Sequence, residues 1–154
     1  MSDHMSALAA AVTALPSGAR LLGLDLGSKT IGMATSDVTR RIATPRRTIA
    51  RTRFTADAEK LLGFAAAEDI GLIVLGLPLN MDGSEGPRAQ STRAFARNLA
   101  RLTVLPVVFW DERLSTVAVE RVMLEADLSR AKRDAAVDKL AAAYILQSAL
   151  DSLP

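Results

Sequence analysis

Hydrophobic and polar residues alternate with two different periodicities along this chain, and each periodicity predicts a different kind of secondary structure. Leucines at alternate positions from 22 to 26 predict a buried strand over 21–26. The unbroken apolar run at 72–77 predicts a strand buried on both faces. Apolar residues spaced three to four positions apart predict a helix over 55–68. The same patterns predict strands at 30–36, 41–50 and 104–110, and helices at 88–101, 115–126 and 134–150.

These elements occur in the order of three strands, then helices and strands in alternation, then two helices. A leading hairpin followed by such alternation predicts an α/β fold in which helices flank a mixed five-stranded sheet. Pro45 favours an edge position for the third strand, because proline cannot donate to a sheet ladder. We expect a single domain over residues 20–154, preceded by an N-terminal extension over 1–19 that is frayed or helical.

The composition narrows the function classes. The chain has 154 residues, of which 49% are apolar, and this is enough for one globular core. It has no cysteine and a single histidine, His4, which argues against disulfides, zinc sites and a Ser-His-Asp triad. No apolar run approaches the ~20 residues that span a bilayer. We therefore expect a cytoplasmic protein that does not enter a membrane.

Basic residues are concentrated in one segment, although the net charge is only +2. No acid lies between Asp37 and Asp57, and arginine suits bidentate contacts to phosphate. This segment predicts a surface that binds nucleic acid, and the alternative is an ordinary solvated basic face. The arginines of the segment are Arg40, Arg41, Arg46, Arg47, Arg51 and Arg53, and Arg93, Arg97 and Arg101 form a second group at helical spacing.

Acidic residues occur beside three apolar segments, where an isolated charge is costly. Asp25 closes the first strand, Asp111 and Glu112 follow the last strand, and Asp138 lies in the final helix on an apolar face. If these acids converge, their oxygens would form a site for a hard cation, Mg²⁺ or Mn²⁺. Such a site indicates metal-dependent phosphodiester chemistry.

Each of these acids also has an ordinary structural explanation. Asp25 fits a turn aspartate, and Asp138 fits an ion pair with Arg133. Asp111 and Glu112 fit the start of a helix, where negative charge is favourable. Because adjacent side chains point apart, we expect only one of these two acids to meet Asp25.

Four motifs, in this order along residues 21–151, resemble the YqgF/RuvX family of pre-16S rRNA nucleases, also called Holliday junction resolvases. They are GLDLGSKTIGMATSD at 23–37, VLGLPLNMDGSEGP at 74–87, DERLST at 111–116 and the VD of AVDKLAAAYILQS at 136–148. The resemblance implies a ribonuclease H-like fold and two-metal hydrolysis with Mg²⁺ or Mn²⁺. It also implies that Asp25, Asp138 and an acid of the Asp111–Glu112 pair are catalytic metal ligands, with Asp134 as a further candidate for a fourth acid.

The family's function implies a nucleic acid partner. The first hypothesis is processing of the 5′ end of pre-16S rRNA, and the alternative is resolution of branched DNA, which requires a homodimer rather than a monomer. We expect Lys29, Arg46, Arg47 and Arg113 to bind substrate phosphates and the loop 78–87 to act as a lid or guide. Two other classes remain, a sugar kinase or actin-like ATPase and a non-catalytic RNA-binding assembly factor.

Overall fold

The structure, a computed structural model, describes the backbone of residues 3–113 and 130–154 and the side chains of residues 3–113 and 139–154. Within these ranges the chain forms a five-stranded sheet with helices on both faces. In chain order the elements are α1 (Asp3–Thr13), β1 (Arg20–Leu26), β2 (Thr30–Ser36), β3 (Ala43–Ala50), α2 (Phe54–Ala67), β4 (Ile70–Leu77), α3 (Pro87–Ala100), β5 (Val107–Asp111) and α4 (Arg130–Asp151).

The sheet has the strand order β3-β2-β1-β4-β5 and confirms the predicted mixed topology. β1, β2 and β3 form an antiparallel meander, because tight connections join them. β4 and β5 run parallel to β1, because α2 and α3 carry the chain back before each of these strands. β1 therefore lies at the centre, paired with β2 on one side and with β4 on the other.

Side chains alternate between the two faces of the sheet and divide the core into two clusters. Leu24 faces α2 and α3, together with Leu75 on the neighbouring strand. Leu21 faces the opposite side, where it packs with residues of α1 and α4. Gly23 lets α4 approach β1 closely, because a Cβ there would lie 2.8 Å from the Cβ of Leu146.

One edge of the sheet, the carboxyl edge, contains the carboxyl ends of β1, β3, β4 and β5. α2 and α3 begin at this carboxyl edge, because each follows a strand that ends there. α1 runs in the same sense, since Leu15 beyond its end contacts Gly71 at the start of β4. α4 also does so, because Gln147 near its end bonds the backbone of Ala43 at the opposite edge.

The N-terminal extension proves to be helical, as one of the two alternatives predicted. Leu8 of α1 is completely buried in the cluster that also holds Trp110 and Ala149. The helix therefore packs on the same face of the sheet as α4.

Several helix and strand boundaries in the structure differ from the predicted ones. The third strand begins at Ala43 rather than at residue 41, because Asp37 accepts hydrogen bonds from the backbone of Arg41 and Ile42 and holds a turn there. The last strand begins at Val107, and Val104 is fully exposed. The last helix begins at residue 130, and the helix predicted at 115–126 lies outside the described residues. No helix in the described part of the chain is long and apolar enough to cross a membrane.

Candidate active site

Asp25 occupies the carboxyl edge of the central strand and is only 9% exposed. It lies on the face of β1 that α4 covers, because it shares that face with Gly23. Its neighbour on β2 is Gly32, and its neighbour on β4, one step beyond the pair of Leu24 and Leu75, is Gly76. Two flanking glycines leave open space beside a buried carboxyl group on an otherwise packed sheet.

Glu112 enters this space from the end of β5. Its backbone N–H donates to Leu77 O at 3.4 Å, which extends the sheet by one residue. Its carboxyl group lies over Gly76, where an added Cβ would stand 2.5 Å from Glu112 Oε2. The absence of a side chain at Gly76 therefore lets Glu112 cross β4 and share a hydrogen bond with the side chain of Asp25.

The pKa of both carboxyl groups is raised. Burial raises the pKa of Asp25 to about 7, and the neighbouring Glu112 adds to this increase. Burial likewise raises the pKa of Glu112, and the nearby Arg88 opposes the increase at both residues. A hydrogen bond between two carboxyl groups needs one proton, so the pair holds a proton where a cation would otherwise balance its charge.

Asp111 does not join this pair. Its carboxylate accepts hydrogen bonds from Arg113 Nε at 2.8 and 3.0 Å and from the Arg113 backbone N–H at 3.0 Å. Partial burial raises the pKa of Asp111, but these bonds outweigh burial and the pKa is lowered overall. The expectation that only one of the two adjacent acids would meet Asp25 therefore fits the geometry, and Glu112 is that acid.

Asp138 lies on α4, within the described backbone but outside the described side chains. The next turns of the same helix pack Ala142 against Gly23 and Ile145 against Gly76. Since α4 runs away from the carboxyl edge, the turn that contains Asp138 lies toward that edge. The predicted role of Asp138 stays a prediction, as does that of Asp134.

The donor set suits a hard divalent cation. Asp25 and Glu112 present only oxygen atoms, and their raised pKa values reflect the cost of holding two buried charges side by side. The Glu112 carboxyl group occupies the space over Gly76, beside Asp25. Among the described side chains no group of three metal-ligating residues is formed, so a third protein ligand would come from outside them.

The basic side chains predicted to bind phosphate fall into two groups. Lys29 is exposed in the turn after β1, at the same edge as Asp25. Arg46 instead donates to the carboxylate of Glu68 at 2.7 and 3.0 Å. Arg46 and Arg47 both stand over the ring of Phe64, on the face opposite the acid pair. Their predicted contact with substrate therefore lacks geometric support beside this site.

Arg113 was also predicted to meet substrate, but its guanidinium binds Asp111 and donates to Met81 O at 3.4 Å. It thereby fastens the end of β5 to the loop 78–86. The same loop is braced internally, since Asp82 accepts from Ser84 and the Asn80 amide donates to Ser84 Oγ at 2.9 Å. These polar residues stabilise the turn.

Two components of the site were missed in the sequence. Gly76 lies inside the apolar run that predicts the strand 72–77, and the signal that identifies it is a glycine within a buried strand, which marks a close approach. Arg88 is predicted only as the start of a helix, although its charge acts on both members of the acid pair. No local pattern distinguishes Arg88 from the other arginines of the chain.

The mixed sheet, with a central-strand carboxyl group and a second one from the last strand, defines an α/β protein of the ribonuclease H-like class. The family model described as RuvX, Holliday junction resolvase, matches residues 19–152, and the chain belongs to this family. This confirms the resemblance found in the motifs.

Close relatives support the same assignment. A protein of Rhodobacter capsulatus is 65% identical over 140 residues, covering 91% of this chain and 88% of the relative. A protein of Rhodopseudomonas palustris strain BisB5 is 64% identical over 138 residues, covering 90% and 86%. Both have the name "Putative pre-16S rRNA nuclease".

Solved structures confirm the fold. The yeast mitochondrial Holliday junction resolvase matches with a TM-score of 0.51 at 10% identity, covering 96% of this chain and 84% of that one. The fowlpox virus resolvase, solved with Holliday junction DNA, also has a TM-score of 0.51, at 9% identity, covering 86% and 97%. At these identities the likeness concerns the backbone fold alone.

Proposed function

We propose that this protein is a divalent-metal-dependent nuclease that hydrolyses phosphodiester bonds at the carboxyl edge of its sheet. The observation that supports this most directly is the buried Asp25–Glu112 pair, held together across Gly76. A buried pair of carboxyl groups destabilises the folded protein, because burial and mutual repulsion both oppose its charge. Such a pair is therefore expected to have a function. Metal binding is the use that fits a donor set made only of oxygen atoms.

In this proposal Asp25, Glu112 and Asp138 hold Mg²⁺ or Mn²⁺. When bound, the metal supplies an activated water and stabilises the leaving oxygen. Asp25 would present its carboxylate to the metal from the central strand, and Glu112 would present its own from the end of β5. Asp111 orients Arg113 and thereby the loop 78–86, so its effect on the site is indirect.

Pre-16S rRNA is the substrate that we propose first, because it appears in the names of relatives more than 60% identical to this chain. Resolution of a four-way DNA junction is the alternative, because it appears in the family description. Junction resolution needs two equivalent sites in a symmetric dimer, whereas trimming an RNA end needs only one. Lys29, at the same edge as the acid pair, is proposed to contact the substrate backbone in either case.

Cleavage of both substrates, measured side by side, tests the proposal. An RNA with the 5′ flank of 16S rRNA and a synthetic four-way DNA junction are each incubated with Mg²⁺, with Mn²⁺ and with EDTA. We expect metal-dependent cleavage of the RNA by the parent and none by Asp25→Asn. Cleavage of the junction alone would favour the alternative substrate. Equal cleavage by the parent and Asp25→Asn would contradict the proposed site.

A further inference from the structure

Two arginines, one on α3 and one just beyond β5, are paired with acids. Arg93 Nε lies 2.6 Å from Glu85 Oε1, and Arg113 Nη2 lies 2.5 Å from Asp111 Oδ2. Arg88 differs from both. It is exposed, and within the described part of the chain no hydrogen bond or ion pair engages its guanidinium. No acid of the described part is therefore bonded to this guanidinium, which can bind an anion from outside the protein.

The backbone at Arg88 is fixed by the first turn of α3. Pro87 sets the start of this helix, and the adjacent Ala89 is completely buried. Thr92 Oγ1 donates to Arg88 O at 2.9 Å and braces the same turn. The exposed side chain of Arg88 therefore starts from a rigid backbone position at the carboxyl edge.

The positive charge of the Arg88 guanidinium acts on the acid pair. Its charge acts on Asp25 and on Glu112 alike, yet it forms no hydrogen bond with Asp25. An arginine whose role was to neutralise this pair would bind a carboxylate through its fork, as Arg113 binds Asp111.

A phosphodiester is the anion that suits this arrangement. Carboxylates repel a phosphate, so its approach to them requires a positive group on the open side. A guanidinium offers two parallel N–H donors that match two phosphate oxygens. We propose that Arg88 binds the scissile phosphate of the substrate and positions it against the Asp25–Glu112 pair. This inference rests on the proposed nuclease function and names the residue that aligns the substrate there.

Binding measured without cleavage gives the first test. In an Asp25→Asn background, the fluorescence anisotropy of the labelled pre-16S RNA reports affinity in EDTA. We expect Arg88→Gln to weaken binding about tenfold and to lower the salt slope by about one. Arg88→Lys should recover part of the affinity, because it restores the charge but not the fork.

Arg101→Gln is the matched control. Arg101 is an exposed arginine that caps the other end of α3, about 20 Å from Arg88 along the helix. Its replacement removes the same charge from the same element. Equal losses for Arg88→Gln and Arg101→Gln would mean that only general charge matters, and this result would overturn the proposal.

The contacted phosphate is identified with a neutral methylphosphonate. The cleavage position is mapped first with the parent, and the neutral linkage is then placed there or three nucleotides away. If Arg88 binds the scissile phosphate, the two changes are not additive at the scissile position, because either one removes the same contact. Additive losses at both positions would overturn the assignment.

Turnover separates this proposal from the nuclease function itself. With active enzyme, we expect Arg88→Gln to lower kcat/KM about a hundredfold, because the charge on the phosphoryl group grows in the transition state. A parent that cleaves while Arg88→Gln cleaves equally well contradicts only the role of Arg88. A parent that cleaves nothing with either metal contradicts the proposed function, and the role of Arg88 falls with it.

Discussion

At the residue scale, the described part of the chain holds two buried aspartates that differ in what their oxygens contact. Asp57 accepts hydrogen bonds from the backbone N–H of Thr52 at 3.0 and 3.1 Å and from its hydroxyl at 2.8 Å, so its charge is satisfied within the fold. Asp25 meets the carboxyl group of Glu112 instead. The first aspartate therefore stabilises the fold, and the second opposes it until a cation arrives.

This contrast predicts opposite effects of two identical substitutions. At pH 8 without metal, we expect Asp25→Asn to raise the free energy of unfolding, because it removes a repulsive charge. Asp57→Asn should lower it by about 1 kcal/mol, because an amide satisfies the donors of Thr52 less well. Urea unfolding of both variants beside the parent checks the two signs. A destabilised Asp25→Asn protein would show that the carboxylate is needed for folding.

The raised pKa of Asp25 also predicts how stability depends on pH. In the folded, metal-free protein this pKa is about 7, against 3.8 for an unperturbed aspartate. Between these values the folded state keeps a proton that the unfolded chain has lost, so stability falls as pH rises through about 7. Thermal unfolding in EDTA from pH 5 to pH 8 should show the decrease, and Asp25→Asn should show a smaller one, because the raised pKa of Glu112 remains. A parent that becomes more stable over this range would contradict the assigned pKa.

At the element scale, the meeting of β1 and β5 depends on what β4 lacks. Gly76 lies between the two strands on the face that holds the acids, and the Glu112 carboxyl group and Ile145 of α4 both occupy the space above it. Replacing one hydrogen atom of Gly76 with a methyl group would therefore disturb both the acid pair and the packing of the core. The spacing of the acid pair is therefore a property of three strands and one helix.

Gly76→Ala tests this dependence. Its Cβ would lie 2.5 Å from Glu112 Oε2 and 2.7 Å from Ile145 Cδ1, so both groups must move. We expect a loss of about 1–3 kcal/mol in stability and a larger loss of nuclease activity than of RNA affinity. Gly63→Ala is the control, because an added Cβ meets nothing within 4 Å in the exposed middle of α2. That variant should be stabilised by about 0.5–1 kcal/mol with unchanged cleavage.

At the scale of the whole molecule, the four described helices all begin at the edge of the sheet that holds the acid pair. The positive ends of their dipoles therefore face the region where we propose that nucleic acid binds. Helices on both faces of the sheet border this edge. α1 is one of these helices, since Leu8 is buried with Trp110 on the strand that leads to Glu112.

Leu8→Ala measures how far the N-terminal helix contributes to the domain. A completely buried leucine leaves a cavity when it is shortened, and we expect a loss of about 2–4 kcal/mol. Leu102→Ala, at a leucine that is 53% exposed, should change stability by less than about 0.5 kcal/mol. Chemical denaturation of the two variants gives the comparison. Equal, small effects would mean that α1 is an appendage of a domain that starts near residue 20.

The sequence by itself determined the elements and the positions of the acids. Leucine alternation and the helical stripes depend on local geometry, so β1, β4, α2 and α3 are predictable to within a few residues. The motifs were enough to identify the family, which the family model confirms. Asp25 could be singled out through the family motif at 23–37, because by itself it also fits a turn aspartate.

Only the tertiary structure decided which groups meet. Glu112 rather than Asp111 reaches Asp25, because the pleat directs it across Gly76 on a strand far away in sequence. Arg46 is neutralised by Glu68, 22 positions later, whereas Arg88 is left without an acid in the described part of the chain. Pairings of this kind depend on strand order and on which face a helix covers. Residue spacing along the chain does not encode either of these, so the composition of the site follows from the fold.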